Sequence, residues 1–215
     1  MADSGTDQTV YADLSGKASV TLNGLGSRDP EGSPLGYTWA WAIDGIAYET
    51  NGAQPIIELP IGINTVQLRV DDGVAVSEPA EVTITVVAPL QGTLKVTPQT
   101  INRKSNQPHI KAELDLPDGI SKTDFDFSVP LTLYPSSVIP GPGAGGVSAS
   151  TQWGLPEGDG QPGLNALVAF FDKDAVMNSV PLNGDVTLRV VGQLKSGQWF
   201  YGDGTVRILG KKRGT

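Results

Sequence analysis

The side chains of this sequence that could bind a metal ion are acids in a turn. Asp29 and Glu31 lie in a loop bounded by glycine and proline. Ca²⁺ takes about six to eight oxygen ligands, often from closely spaced carboxylates and backbone carbonyls, so it is the ion that this loop suits best. The alternative is an Asx-type turn, in which the Asp29 carboxylate accepts hydrogen bonds from nearby backbone N–H groups.

Three aromatic side chains are the candidates for contact with an organic ligand. Trp153 lies in a Gly- and Pro-rich stretch, and Trp199 and Tyr201 lie near a turn. Rings exposed in such places can stack on sugar rings, because they combine a large apolar face with a polar edge. Trp39 stands instead in an alternating strand pattern, which places it in a core.

Catalytic groups are scarce. The chain has one histidine, His109, and no cysteine. A Ser–His–acid triad could be drawn through His109, but the Gly-x-Ser-x-Gly nucleophile elbow is absent, and zinc needs several His or Cys ligands. We therefore predict that the protein is not an enzyme and requires no cofactor, with calcium as the one ion that the sequence allows.

The charge distribution is uneven. Residues 1–88 carry 12 acids and 3 bases, a net of −9, and residues 89–215 carry 11 acids and 12 bases, a net of +1, which sum to −8. The first half is therefore a poor partner for nucleic acid. No apolar run reaches the length of about 18 residues that a membrane span needs, and the first residues lack the pattern of a secretion signal.

Alternating apolar and polar residues predict strands along the chain. Residues 65–70, 81–86 and 109–116 alternate cleanly, and residues 165–171 are apolar on both faces. Such alternation indicates sheets with one buried face, as in an antiparallel sandwich. One helical turn is predicted at residues 174–178.

The strand pattern stops and restarts at a short predicted linker, residues 87–92. We therefore predict an all-β fold of two tandem β-sandwich domains, residues 1–88 and 89–215. Residues 134–163 are rich in glycine and proline and cannot form a central strand, so they are predicted to be an exposed insertion in the second domain.

Four stretches of the first half form a recognisable set, residues 5–10, 20–32, 35–39 and 68–73. In the order and spacing of these motifs, residues 5–87 resemble the PKD domain, an Ig-like sandwich common in bacterial surface proteins. The sequence departs from that family after Trp39, because the Trp-Asp-Phe-Gly-Asp-Gly of one subset is missing.

The resemblance implies a fold of two tandem Ig-like β-sandwich domains and a spacing or adhesive role. Some relatives bind calcium through the loop that matches residues 27–32, with help from the turn at Asp71.

Four stretches of the second half also form a set, residues 95–105, 115–119, 124–126 and 192–208. In these stretches the second half resembles, more loosely, a module found at the C-termini of secreted bacterial proteins. That module has no enzymatic role that we can attach to it.

Together these patterns predict a non-catalytic, extracellular module of a bacterial surface or secreted protein, with a structural or adhesive role, or a subunit of an extracellular assembly. Its expected partners are other protein modules or cell-surface components. The alternative is a carbohydrate-binding accessory module of a secreted hydrolase, which would contact polysaccharide through Trp153, Trp199 and Tyr201. The predicted metal ligands are Asp29, Glu31 and Asp71.

Overall fold

The protein folds almost entirely into β-structure. The computed structural model describes residues 1–117, 119–138, 145–154, 166–181 and 183–210. Within these residues it has sixteen strands, one α-helix and one 3₁₀ turn, which confirms the predicted all-β fold. The chain divides into two compact units, Met1–Ala88 (unit 1) and Pro89–Thr215 (unit 2).

Unit 1 is an Ig-like sandwich of two sheets. Five strands pair in the order β1-β7-β6-β3-β4, and β2 pairs with β5 to form the opposing sheet. The first strand, β1, runs parallel to the last, β7, and the other neighbours are antiparallel. The strands are β1 Gln8–Tyr11, β2 Lys17–Thr21, β3 Gly36–Ile43, β4 Ile46–Asn51, β5 Ile56–Pro60, β6 Gly62–Asp71 and β7 Ala80–Val87.

The core of unit 1 forms around Trp39. Its side chain is 0% exposed, as predicted, and its Nε1–H donates to the Gly52 carbonyl at 2.9 Å. A Cβ at Gly24 would lie 3.1 Å from the Trp39 ring and 3.1 Å from Leu68, so the absence of a side chain at Gly24 makes room for both. The alternation of β6 turns Val66, Leu68 and Val70 inward, which also confirms the sequence pattern.

Unit 2 is built on one nine-stranded sheet in the order β12-β11-β15-β16-β8-β10-β14-β13, with β9 paired to β16. As in unit 1, the first strand, β8, runs parallel to the last, β16. The strands are β8 Leu90–Thr97, β9 Thr100–Asn102, β10 His109–Asp115, β11 Thr132–Pro135, β12 Val147–Ser148, β13 Thr151–Gly154, β14 Ala166–Asp172, β15 Gly184–Gln193 and β16 Trp199–Leu209.

The sheet of unit 2 closes on itself through β12 and β13, two short strands separated by Ala149 and Ser150. β12 pairs with β11 and β13 pairs with β14, which are otherwise at opposite ends of the strand order. Between them, the Ala149 N–H donates to Leu131 O and the Ser150 N–H to Phe170 O, each at 2.8 Å. The sequence predicted no strand here. The rest of the predicted insertion, residues 139–144 and 155–163, lies outside the described residues.

The structure corrects the predicted bounds of two segments, the linker and the helical turn. β7 continues to Val87 and β8 begins at Leu90, so the predicted linker of residues 87–92 contracts to Ala88 and Pro89. Parallel pairing with β16 draws the first residues of β8 into the sheet, and this pairing has no local sequence signal. The predicted helical turn is a seven-residue helix, α1, Lys173–Ser179.

Side-chain hydrogen bonds cap helix α1 at both ends. The Asp172 side chain accepts the Ala175 N–H at 2.7 Å at its start. At its end, Arg103 donates to Met177 O at 2.6 Å and to Val180 O at 2.7 Å. Arg103 thus satisfies carbonyls that a helix end otherwise leaves without partners. No helix in the described residues has both the length and the apolar composition needed to cross a lipid bilayer.

Candidate functional site

Strand β16 carries two of the three predicted ligand-binding aromatics. Phe200 points into the core and is buried, whereas Trp199 and Tyr201 are half-buried. Side chains alternate along a strand, so Trp199, Tyr201 and Asp203 share the opposite, solvent-facing side of the sheet. The sequence predicted these aromatics near a turn, and a turn at residues 195–197 does precede them. They lie on the regular strand that follows it, which fixes the direction of their side chains.

The neighbours of these side chains follow from the register. Val191 lies opposite Tyr201 and Gln193 opposite Trp199. Arg189 lies opposite Asp203 on one side and Tyr134 of β11 on the other. We call this set of side chains on the solvent-facing side of β11, β15 and β16 the outer stripe. It comprises Tyr134, Arg189, Val191, Gln193, Trp199, Tyr201 and Asp203.

A bidentate ion pair forms the centre of the outer stripe. Arg189 Nε lies 2.8 Å from Asp203 Oδ1, and an Arg189 terminal nitrogen lies 2.7 Å from Asp203 Oδ2. The hydrogen bonds to Asp203 raise the pKa of Arg189, against the opposing effect of partial burial. The guanidinium carbon also lies 4.5 Å from the centre of the Tyr201 ring. Such planar, paired groups hold one geometry, and their charges cancel.

The guanidinium of Arg189, stacked on Tyr201, limits how this ring can contact a ligand. One face of its ring is covered by Arg189, so a ligand cannot stack on that face. Val191 is 3% exposed although it points to the solvent side, so the flanking side chains pack over it. The outer stripe therefore presents aromatic rings and hydrogen-bonding groups on a well-packed, charge-compensated base.

Trp153 does not join Trp199 and Tyr201. Its backbone lies on β13, opposite Val168, and three strands separate β13 from β16 in either direction around the closed sheet, β8, β10 and β14 on one side and β12, β11 and β15 on the other. Its side chain lies outside the described residues. The residues that sequence reasoning missed are Tyr134, Arg189 and Asp203, which are far apart in the chain and meet only through the register of three strands.

The predicted calcium ligands do not converge as a set. Asp29 Oδ2 accepts the Ser33 N–H at 2.8 Å, and Asp71 Oδ1 accepts the Gly73 N–H at 2.7 Å. Glu31 is exposed. In the described part of the chain, no three or more His, Cys, Asp or Glu side chains come together as a possible metal-binding group.

Asp29 and Asp72 line one depression on unit 1. Asp72 Oδ1 accepts the N–H groups of Val74 and Ala75, each at 2.8 Å. These backbone bonds, that of Ala75 foremost, lower the pKa of Asp72. The local carboxylates therefore already have hydrogen-bond donors of the same chain, as expected of Asx-type turns.

Calcium binding and the Asx-type turn are the two alternatives for this loop, and they have a direct test. Because Asp29, Asp71 and Asp72 each engage backbone N–H groups, we expect CaCl₂ to leave the melting temperature of unit 1 unchanged. The measurement is thermal unfolding with up to about 10 mM CaCl₂, above the ~10⁻³ M dissociation constants of weak extracellular sites. A rise in melting temperature that is lost in Asp29→Asn would instead establish the calcium site.

His109 lies at the first residue of β10 and is exposed. Its ring meets Phe170 edge-on, with the ring centres 6.4 Å apart. His109 is therefore a surface residue at the start of a strand.

Comparisons with known proteins give the chain no family. No protein-family model matches it, and no curated protein is similar in sequence. Among solved structures, a 1.5-MDa bacterial ice-binding adhesin aligns over 93% of this chain with 15% identity and a TM-score of 0.34. The Bacteroides ovatus glucan-utilisation protein SGBP-B, solved with a mixed-linkage heptasaccharide, aligns over 96% with 13% identity and a TM-score of 0.28.

The complex of Dpr2 Ig1–Ig2 with DIP-Theta aligns over 95% of this chain, with 10% identity and a TM-score of 0.26. The chain spans 60% of the adhesin structure, 61% of the Dpr2 structure and 43% of SGBP-B. All of these TM-scores lie too low to transfer a function.

Proposed function

We propose that this protein is a non-catalytic adhesive module of a bacterial surface or secreted protein, and that it works outside the cell. The outer stripe of unit 2 is the observation that supports this proposal. Its rings and its Arg189–Asp203 pair are held by strands, and surfaces that are ordered before binding lose little entropy when a partner docks. The PKD-like motifs of residues 5–87 also favour an adhesive or spacing role.

The outer stripe has the composition of a binding surface. Tyrosine, tryptophan and arginine are the residues most often found to carry binding energy at interfaces. In the outer stripe these types occur together, as Tyr134, Arg189, Trp199 and Tyr201, on adjacent strands. Because Arg189 is neutralised by Asp203, the surface suits a partner that is polar and uncharged at the point of contact.

Adhesion is tested by retention of the fluorescently labelled protein on purified bacterial cell envelopes. Trp199→Ala, which removes an aromatic anchor of the outer stripe, is expected to weaken retention about tenfold or more. The matched control is Phe127→Ala, which removes a ring of unit 2 that lies outside the outer stripe and is 38% exposed. Equal retention of wild type and Trp199→Ala would refute a role for the outer stripe.

A carbohydrate-binding accessory module is the second candidate. The observation in its favour is that the rings of Trp199 and Tyr134 flank hydrogen-bonding groups of Gln193, Arg189 and Asp203 on one sheet face. Sugars present the same combination of apolar faces and hydroxyl groups. Affinity electrophoresis through gels that contain neutral polysaccharides tests this role. Retardation that Trp199→Ala abolishes and Phe127→Ala retains would support it, and unretarded migration in every gel would exclude it for those glycans.

A further inference from the structure

Strand β4 of unit 1 has a free edge. It pairs with β3 in an unbroken register from Thr38 opposite Asn51 to Ile43 opposite Ile46. It stands last in the strand order of the five-stranded sheet, and no strand of the described residues pairs with its other side. Five of its six residues are exposed.

The turn before β4 determines which backbone groups face the free edge. Asp44 has φ 51° and Gly45 has φ 80°, which is the signature of a type I′ turn. Such a turn closes with a hydrogen bond from the Ile46 N–H to the Ile43 carbonyl. Bonded and non-bonded pairs then alternate along the ladder. The N–H and C=O groups of Ala47, Glu49 and Asn51 therefore point away from β3, toward the free edge.

The edge carries one of the features that normally block strand pairing and lacks the others. Proteins protect edges with charged side chains, especially lysine, with proline, with bulges or by keeping the strand very short. β4 reads Ile-Ala-Tyr-Glu-Thr-Asn, with the single charge of Glu49 and with neither lysine nor proline, and its register contains no bulge. By contrast, the strands of the opposing sheet carry Lys17 on β2 and Pro60 on β5.

The side chains of β4 specify what an added strand should carry. Ile46 and Tyr48 are 61% and 42% exposed, and they share the face on which Tyr48 stacks with Trp41, with the ring centres 5.8 Å apart. Glu49 lies on the other face. A neighbouring strand would therefore place apolar side chains beside Ile46 and Tyr48 and a positive charge beside Glu49.

The charge of unit 1 argues against a second copy of this protein as the partner that pairs with the free edge of β4. Residues 1–88 carry a net charge of −9, and the β3–β4 hairpin contains Asp44 and Glu49 with no lysine or arginine. Two such edges would repel each other, whereas the negative charge of unit 1 attracts a basic segment.

We propose that the free edge of β4 binds an extended, basic segment of a partner protein by strand addition. The backbone groups of Ala47, Glu49 and Asn51 supply the main-chain hydrogen bonds, and Ile46, Tyr48 and Glu49 select an alternating apolar and basic sequence. This surface belongs to unit 1 and is independent of the outer stripe.

The experiment titrates the ¹⁵N-labelled full chain with a short, end-blocked synthetic peptide of alternating valine and lysine. We expect amide shifts and slowed hydrogen exchange at residues 46–51, with the largest effects at Ala47 and Glu49. A peptide with glutamate in place of lysine should bind at least about fivefold more weakly, as should the lysine peptide to Glu49→Lys. Added salt should weaken binding of the lysine peptide.

Two further variants complete the test. Ala47→Pro removes one outward donor without removing a bond to β3, and it should abolish binding. Glu78→Lys makes the same charge change as Glu49→Lys at an exposed position outside β4, and it should bind nearly as well as wild type. Should Ala47→Pro fail to fold, the proposal is tested by comparing how tightly Glu49→Lys and Glu78→Lys bind the lysine peptide. Weaker binding by Glu49→Lys alone supports it, and equal binding by both variants contradicts it. The proposal is overturned by unchanged amides at residues 46–51, by equal binding of both peptides, or by self-association through β4.

Discussion

Replacing Trp39 with alanine is expected to destabilise unit 1 by about 3–5 kcal/mol, the usual cost of removing a large buried aromatic side chain. The ring is fully buried and packs over Gly24 and Leu68, so little can move in to fill the space. The carbonyl of Gly52 also loses the hydrogen bond from Nε1. The measurement is urea unfolding together with hydrogen exchange of the intact protein, read at the strands of unit 1.

Trp39→Phe is the matched control for this experiment. It retains an aromatic ring in the core and removes the Nε1 donor, so it should cost less than the alanine variant, with roughly 1 kcal/mol of the loss from the hydrogen bond. Unchanged exchange in β3 and β6 of Trp39→Ala would show that the ring does not organise this core.

Replacing Arg103 with methionine is expected to destabilise unit 2 by about 3 kcal/mol, since it removes charge-assisted hydrogen bonds to partly buried carbonyls. Methionine preserves much of the apolar stem and so isolates the loss of the guanidinium. The two carbonyls at the end of α1, of Met177 and Val180, and the side-chain oxygen of Asn183 all lose a donor. Thermal unfolding and hydrogen exchange in α1 measure the effect.

Arg103→Lys separates geometry from charge. An ammonium group keeps the charge but lacks the planar fork that reaches Met177, Val180 and Asn183 together, so it should recover only part of the stability. Full recovery would mean that charge near the end of α1 matters and the fork does not. Wild-type stability in Arg103→Met would refute the capping role.

Local alternation was sufficient to predict the buried strands. The patterns around Leu68, Ile84 and Leu114 identify strands whose apolar sides are buried, because side-chain direction follows from the chain itself. Strand β4 gave no such signal. Most of its residues are exposed on both faces, so its composition does not alternate, and its pairing depends on the type I′ turn at Asp44 and Gly45.

The functional surfaces were less predictable than the strands. Trp199 and Tyr201 could be chosen from the sequence by residue type alone. Their neighbours could not, since Arg189 meets Asp203 and Tyr134 only through the registers of β15 with β16 and β11. The parallel pairing of β8 with β16 is equally non-local, and it shortened the predicted linker to two residues.

The parallel pairing of first and last strands has a mechanical consequence. β1 lies beside β7 in unit 1, and β8 lies beside β16 in unit 2. Tension applied to the two ends of either unit would pull these neighbours along their own axes in opposite directions. The hydrogen bonds between them would then bear the load together, in shear, and would have to break at once. Each unit should therefore resist tension along the chain and unfold abruptly once the hydrogen bonds between its first and last strands break.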